Sequence, residues 1–239
     1  MFIPLYDVNP LRTIHRPYVT YALMLATIAS FVLFQSGLMV SGGDVASAAA
    51  FGVIPAEFHQ HAGLRDTFAL VPEPFTFITY QFVHGGWMHL IGNMLFLWVF
   101  GDNVEDAMGH LRFLLFYLLA GIGAALARAT ASRLSDVPLV GASGSIAGVV
   151  AAYLILHPRV KVWVLLLMRL PIKISAVWAI GGWLVFQFVM LVAGGDHSTA
   201  WWAHIGGFAT GAVLLPVMRR PGVPLFDRGL TAPQVRTLR

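Results

Sequence analysis

The chain has 239 residues, of which 58% are apolar and only 11% charged, and its mean hydropathy is +0.75. Soluble domains carry about 25% charged residues, so the composition excludes an ordinary soluble domain and points to an integral membrane protein. The net charge of +4 does not signal nucleic acid, because the basic residues border apolar spans and form no single basic face; with no cysteine, disulfide and thiolate chemistry are excluded as well.

Residues 1–16 read as a short cytoplasmic segment with no signal-peptide cleavage pattern. Six stretches then reach or approach the ~20 residues that a bilayer needs. They fall near 17–40, 86–101, 111–130, 141–157, 174–193 and 200–218. Together they predict an all-α membrane protein, a six-transmembrane-helix bundle over 17–218. The second and fourth stretches are short and contain glycine. The outer loop 41–85 mixes Phe51, Phe58, Phe68, Phe75 and Phe77 with Pro55, Pro72 and Pro74. This mixture predicts a partly helical loop lying at the lipid interface. The tail 219–239 is basic and contains proline, and is expected to be flexible and to touch anionic lipid.

Lys and Arg set the orientation. Arg12 and Arg16 precede the first span, Arg159, Lys161, Arg169 and Lys173 lie between the fourth and fifth, and five arginines follow the sixth. With Arg112, twelve of the fifteen fall on one side. Both termini are therefore expected in the cytoplasm. Spans two, four and six then begin at the outer face. His84 and His89, Ser143, and His204 stand at those three beginnings, within about two turns of one surface.

Serine at the first turn of a helix is commonly an N-cap. Here Gly141 and Gly144 flank Ser143 and leave room for a substrate backbone. The helix start also offers unpaired N–H groups to a developing oxyanion. His204 is an ionisable group in a span, which is a functional candidate by position. His204, Gly207 and Gly211 share one helix face, and Gly144 and Gly148 form a matching small face on span four. Small residues let spans approach closely, which predicts that spans four and six bring Ser143 to His204. A serine nucleophile and a histidine base suffice for acyl transfer. His89 and Asn93, four apart on span two, can donate hydrogen bonds to an oxyanion without a fixed charge. Zinc is disfavoured: there is no HExxH and no carboxylate in the outer half of a span. Asp136 and Asp196 lie in outer loops and have no required contact with His204, so a two-residue dyad is expected, without metal or cofactor.

These motifs resemble the rhomboid family of intramembrane serine proteases. The residues are His84-x4-His89-x3-Asn93, Gly141-Ala142-Ser143-Gly144 and Ala203-His204-x2-Gly207-x3-Gly211, with Gly101-x3-Glu105-x3-Gly109 at the inner end of span two. The likeness covers roughly 17–218 and looks like the basic prokaryotic six-span type. It implies Ser143 as nucleophile, His204 as general base, and His89, Asn93 and the Ser143 N–H as the oxyanion hole. It further implies His84 as support for the outer loop and a water-filled approach, and Glu105 as a fastener of nearby backbone. The implied partners are transmembrane protein substrates and membrane lipid, in a bacterial inner membrane. Two positions depart from the pattern. Phe75-Thr76 stands where many members have Trp-Arg, and Ala147 replaces an aromatic that packs on the base, leaving Phe208 as the expected support for His204. Access for substrate is expected past span five and the 194–199 loop, eased by Gly181, Gly182, Gly194 and Gly195. Two rivals stay open: a catalytically silent rhomboid-like protein that holds membrane clients, and a small transporter. Both Ser143 and His204 being present argues against the first. Clustering of polar residues in the outer half argues against the second.

Overall fold

A computed structural model describes residues 2–39, 41–60, 70–166, 169–193 and 201–227. Three helical segments are long and apolar enough to cross a membrane: Tyr18–Gln35, His110–Ala131 and Trp201–Met218. The first is α1 (Tyr18–Ser30) continued by a π turn (Phe31–Gln35); the other two are α6 (His110–Ala131) and α9 (Trp201–Met218). Two shorter apolar helices, α7 (Ser143–Leu156) and α8 (Ala176–Val192), pack with them. The remaining long helix is α5 (Trp87–Met108). Short helices α2 (Gly43–Phe51), α3 (Pro55–Phe58) and α4 (Glu73–Thr79) lie between α1 and α5.

The all-α expectation needs one correction. Strands β1 (Phe2–Asp7), β2 (Lys161–Leu166) and β3 (Leu170–Ser175) form an antiparallel sheet in the order β1-β2-β3. The segment that supplied basic residues for the orientation argument also alternates. Val162 and Val164 enter the core while Lys161 stays exposed, the period-2 signature of a half-buried strand. Val162 pairs with Ile174 and Val164 with Ile172. The N-terminal segment supplies the third strand, with Phe2 opposite Leu166 and Asp7 opposite Val162.

The second span is also longer than expected. α5 continues past Gly101 to Met108 because its carboxylates are satisfied by backbone. Pro17 precedes α1 and offers no side-chain cap, so the first N–H groups of α1 need outside acceptors. Glu105, fully buried, accepts from the N–H of Val19 at 2.9 Å and of Thr20 at 2.8 Å, and from the Thr20 hydroxyl at 2.7 Å. His110 Nδ1 donates to it at 2.5 Å. Asp106 accepts from the N–H groups of Arg12, Thr13 and Ile14. Glu105 therefore fastens α1 to α5, beside the close approach of Gly101 to Thr20. Gly109 breaks the chain between α5 and α6 with φ +85°, and a Cβ there would lie 2.7 Å from the Arg220 guanidinium.

α7 stands at the centre, with residues 144–153 all buried, as its uniformly apolar sequence requires. α9 meets it along the two small faces. A Cβ on Gly207 would lie 2.0 Å from the Gly144 carbonyl oxygen, and one on Gly211 2.4 Å from that of Gly148. Only glycine permits this approach. Gly206 makes the same close contact with α6, at Ala127.

Part of the loop expected at the lipid interface is core. Phe77 and Tyr80 are buried with Val53 and Leu139, and the Tyr80 hydroxyl donates to the Gly121 carbonyl at 2.7 Å. Thr76 is buried and donates to the Glu73 carbonyl at 2.6 Å, while Phe75 is exposed. Residues 61–69 of that loop, the 194–199 loop with Gly194, Gly195 and Asp196, and the tail from 228 onward lie outside the described residues. The first part of the tail is held: Asp227 pairs with Arg12 at 2.6 Å.

Candidate active site

Ser143 opens α7, and the first helical bond runs from the Ile146 N–H to the Ala142 carbonyl. The Ser143 amide therefore precedes the hydrogen-bonded ladder of its own helix. Gly141 makes the turn into α7 with φ +112°, and a Cβ there would strike the His89 ring at 2.6 Å. Both the conformation and the space call for glycine. Gly144 packs its face against Ala124 and the Tyr80 hydroxyl. The neighbouring Ser145 points elsewhere and donates to Gln81 Oε1 at 2.8 Å.

His204 lies in the first turn of α9. Its Nε2 is 2.9 Å from the Ser143 hydroxyl, and its Nδ1 is 2.8 Å from Gln187 Oε1. A carbonyl oxygen only accepts, so Nδ1 carries the hydrogen and Nε2 presents a lone pair to the serine. Phe208 does not support the ring; it packs against the main core. The Trp183 and Trp201 rings flank His204, with centroids at 5.9 and 6.4 Å.

His84 is fully buried. Its N–H donates to Gln35 Oε1 at 2.6 Å, and its Nε2 accepts from Asn93 Nδ2 at 2.9 Å. His84 thereby holds the Asn93 amide and stands 3.5 Å from the Ala142 N–H in the turn before α7. His89 stacks edge-on to His84 with centroids 5.0 Å apart. Ser143, His204, His89 and Asn93 all line one crevice of about 650 Å³, together with Gln187. The crevice runs between α5 and α8, and from the dyad down the Ile146, Ala147 and Val150 side of α7 to Val164, Leu166 and Ile174 of the sheet. Ala147 leaves open the space that an aromatic would fill. Gly182 lines the same crevice, and a Cβ on it or on Gly181 would meet nothing within 4 Å, so neither is there for packing. Among the described residues no three His, Cys, Asp or Glu side chains are arranged to hold a metal ion.

Gln187 is the site residue that sequence reasoning passed over. Its signal was present: it is the only amide, hydroxyl or charged side chain between Ala176 and Val192, and a polar group in an apolar span needs a partner.

The fold and site define a helical membrane protein with neutral polar groups gathered at one end of its bundle. The rhomboid domain model matches residues 71–221, and the chain belongs to the rhomboid family. It is similar to Rhomboid-like protein 11, chloroplastic, of Arabidopsis thaliana, with 35% identity over 39% of this chain and 34% of the relative. RHOMBOID-like protein 6, mitochondrial, of the same plant is 30% identical over 59% of this chain and 43% of the relative. Presenilin-associated rhomboid-like protein A, mitochondrial, of Danio rerio is 32% identical over 53% of this chain and 33% of the relative. The chain thus spans between a third and a half of the length of these curated relatives.

Proposed function

We propose that the chain is an intramembrane serine protease that hydrolyses peptide bonds in or near transmembrane segments of other membrane proteins. The observation that carries this reading is the 2.9 Å contact between Ser143 Oγ and His204 Nε2 at a crevice deep enough to take a peptide. His204 takes the Ser143 proton as the hydroxyl oxygen attacks the substrate carbonyl. The tetrahedral oxyanion is held by the Ser143 N–H, Asn93 and His89. Asn93 Nδ2 spends one hydrogen on His84 and keeps the other for the oxyanion. His204 then protonates the leaving amine as the C–N bond breaks, leaving an acyl-serine. Water, deprotonated by the same histidine, hydrolyses that ester and restores both side chains.

Six helices cross the bilayer in this reading: α1 with its π turn, α5, α6, α7, α8 and α9. The basic sheet end faces the cytoplasm with both termini, in a bacterial inner membrane, and the dyad opens to the outer face. A helical substrate must unwind locally, because its amides are internally bonded and shielded. Weak helix formers near the cleaved bond lower that cost. The test is purified protein in liposomes with a transmembrane model substrate. Cleavage, and fluorophosphonate labelling of Ser143, are both expected to disappear in Ser143→Ala and His204→Ala while the melting temperature is kept. Cleavage by Ser143→Ala would overturn the reading.

A further inference from the structure

We infer that Gln187 is the third member of the site: a positioning residue that holds His204 in its base-ready form and ties the wall of the crevice to the dyad. The inference rests on the protease reading above. Gln187 is 4% exposed, and its Oε1 accepts from His204 Nδ1 at 2.8 Å. That bond selects the tautomer whose Nε2 is free to take the serine proton. It also persists afterwards, because the imidazolium formed in the reaction keeps its Nδ1–H. An amide carbonyl supports the positive ring through its dipole and brings no fixed charge into an apolar setting, where a carboxylate would be costly. Ala147, which lines the same crevice, is too small to pack a ring against the base; the Trp183 and Trp201 rings flank His204, but only the hydrogen bond to Gln187 distinguishes its two nitrogens.

The bond acts in the other direction as well. The buried residues of α8 are Ala176, Ala179 and Ile180 in its first turns and then Gln187 alone. Val185, Phe186, Phe188, Val189 and Val192 are exposed. The half of α8 nearest the dyad is therefore tied to α9 by the Gln187 hydrogen bond, together with the ring contacts of Trp183 with His204 and of Phe186 with Trp201. The same helix forms one wall of the crevice. Seating of that wall and readiness of the base share one hydrogen bond.

The test compares full-length wild type, Gln187→Met and Gln187→Glu in liposomes. Methionine keeps the length and volume and removes the acceptor; glutamate keeps the acceptor. Gln187→Met is expected to lower kcat about 10- to 100-fold, less than the ~10⁴-fold that follows loss of the correct tautomer in a carboxylate triad. KM is expected to change by less than about twofold, as fits loss of an interaction felt in the transition state. Fluorophosphonate labelling of Ser143, which needs no substrate binding, should slow by the same factor. Gln187→Glu, held as the neutral acid by this apolar setting, keeps a carbonyl acceptor and should recover labelling and turnover to within about threefold of wild type. Wild-type kcat and labelling in Gln187→Met would overturn the inference. Equal losses in Gln187→Met and Gln187→Glu would also overturn it, because the effect would then not follow the acceptor. Retained cleavage in Ser143→Ala is a separate result, and would remove the protease reading beneath it.

Discussion

Two clusters of buried polar groups, one at each end of the bundle, use opposite chemistry. Around the dyad the hydrogen-bonded side chains are neutral: Ser143, His204, Gln187, Asn93 and His84 form two short hydrogen-bonded chains. At the sheet end they are carboxylates. Glu105 and Asp106 accept backbone N–H groups from the segment before α1 and from its first turn, and Asp227 pairs with Arg12. Charge-assisted bonds are the stronger fasteners and suit a place that must not move. Neutral groups place no fixed charge in an apolar interior at rest. In the proposed reading the difference separates a clamp from a reaction site.

That comparison can be broken by substitutions at each end. The largest effect is expected at Asn93. Loss of one oxyanion donor costs about 10²–10³ in kcat, and Asn93→Ala should do so with KM nearly unchanged in a steady-state assay. A rise in KM alone would mean that Asn93 binds substrate and does not serve the chemistry. Glu105→Ala should show the reverse pattern. It strips acceptors from three donors of the α1 entrance, at about 1 kcal/mol or more each. The melting temperature should fall clearly, while the fluorophosphonate labelling rate of the folded fraction stays at the wild-type value. A slowed rate in folded protein would show that the clamp reaches the dyad.

The smallest effect concerns Asp7. Burial, with Asp102 nearby, pushes its carboxyl up from 3.8 to about 7, against the Tyr153 hydrogen bond. The folded state therefore keeps a proton on Asp7 that the unfolded chain has lost. Its contribution to stability is present below 3.8 and is lost as pH rises through about 7. His157 has the opposite sign. Burial first, and then Arg12, lowers it from 6.5 to about 4, so stability falls as pH drops through that window. In wild type the two slopes oppose each other. Asp7→Asn should leave only the histidine slope, and thermal melts between pH 4 and 7 should then rise with pH more steeply than wild type. An unchanged profile would mean that Asp7 is ionised in the fold.

Legibility in the sequence followed the same division. Ser143 and His204 could be paired because each carries its glycine face with it, so depth and packing were both encoded locally. Gln187 was visible as a lone amide, but its partner lies on another helix, and nothing in the spacing within α8 names it. The carboxylates misled the span boundary: counted as charges they end the second span near 101, whereas backbone N–H groups neutralise their cost and let α5 run to Met108. The sheet was hidden because Lys161, Arg169 and Lys173 were weighed for charge, while Val162 and Val164 supplied the alternation that builds β2. Its third strand comes from the far end of the chain, a pairing no local pattern carries.

That third strand also sets an order of events during synthesis. Residues 2–7 leave the ribosome well before their partners, residues 161–166, which are made only after α1, α5, α6 and α7. Asp7 likewise waits for Tyr153, whose hydroxyl it accepts at 2.5 Å, and Arg12 waits for Asp227. Contacts this distant in sequence close late. β1 is thus made early and docks late, and its docking marks a chain whose intervening helices have already been synthesised.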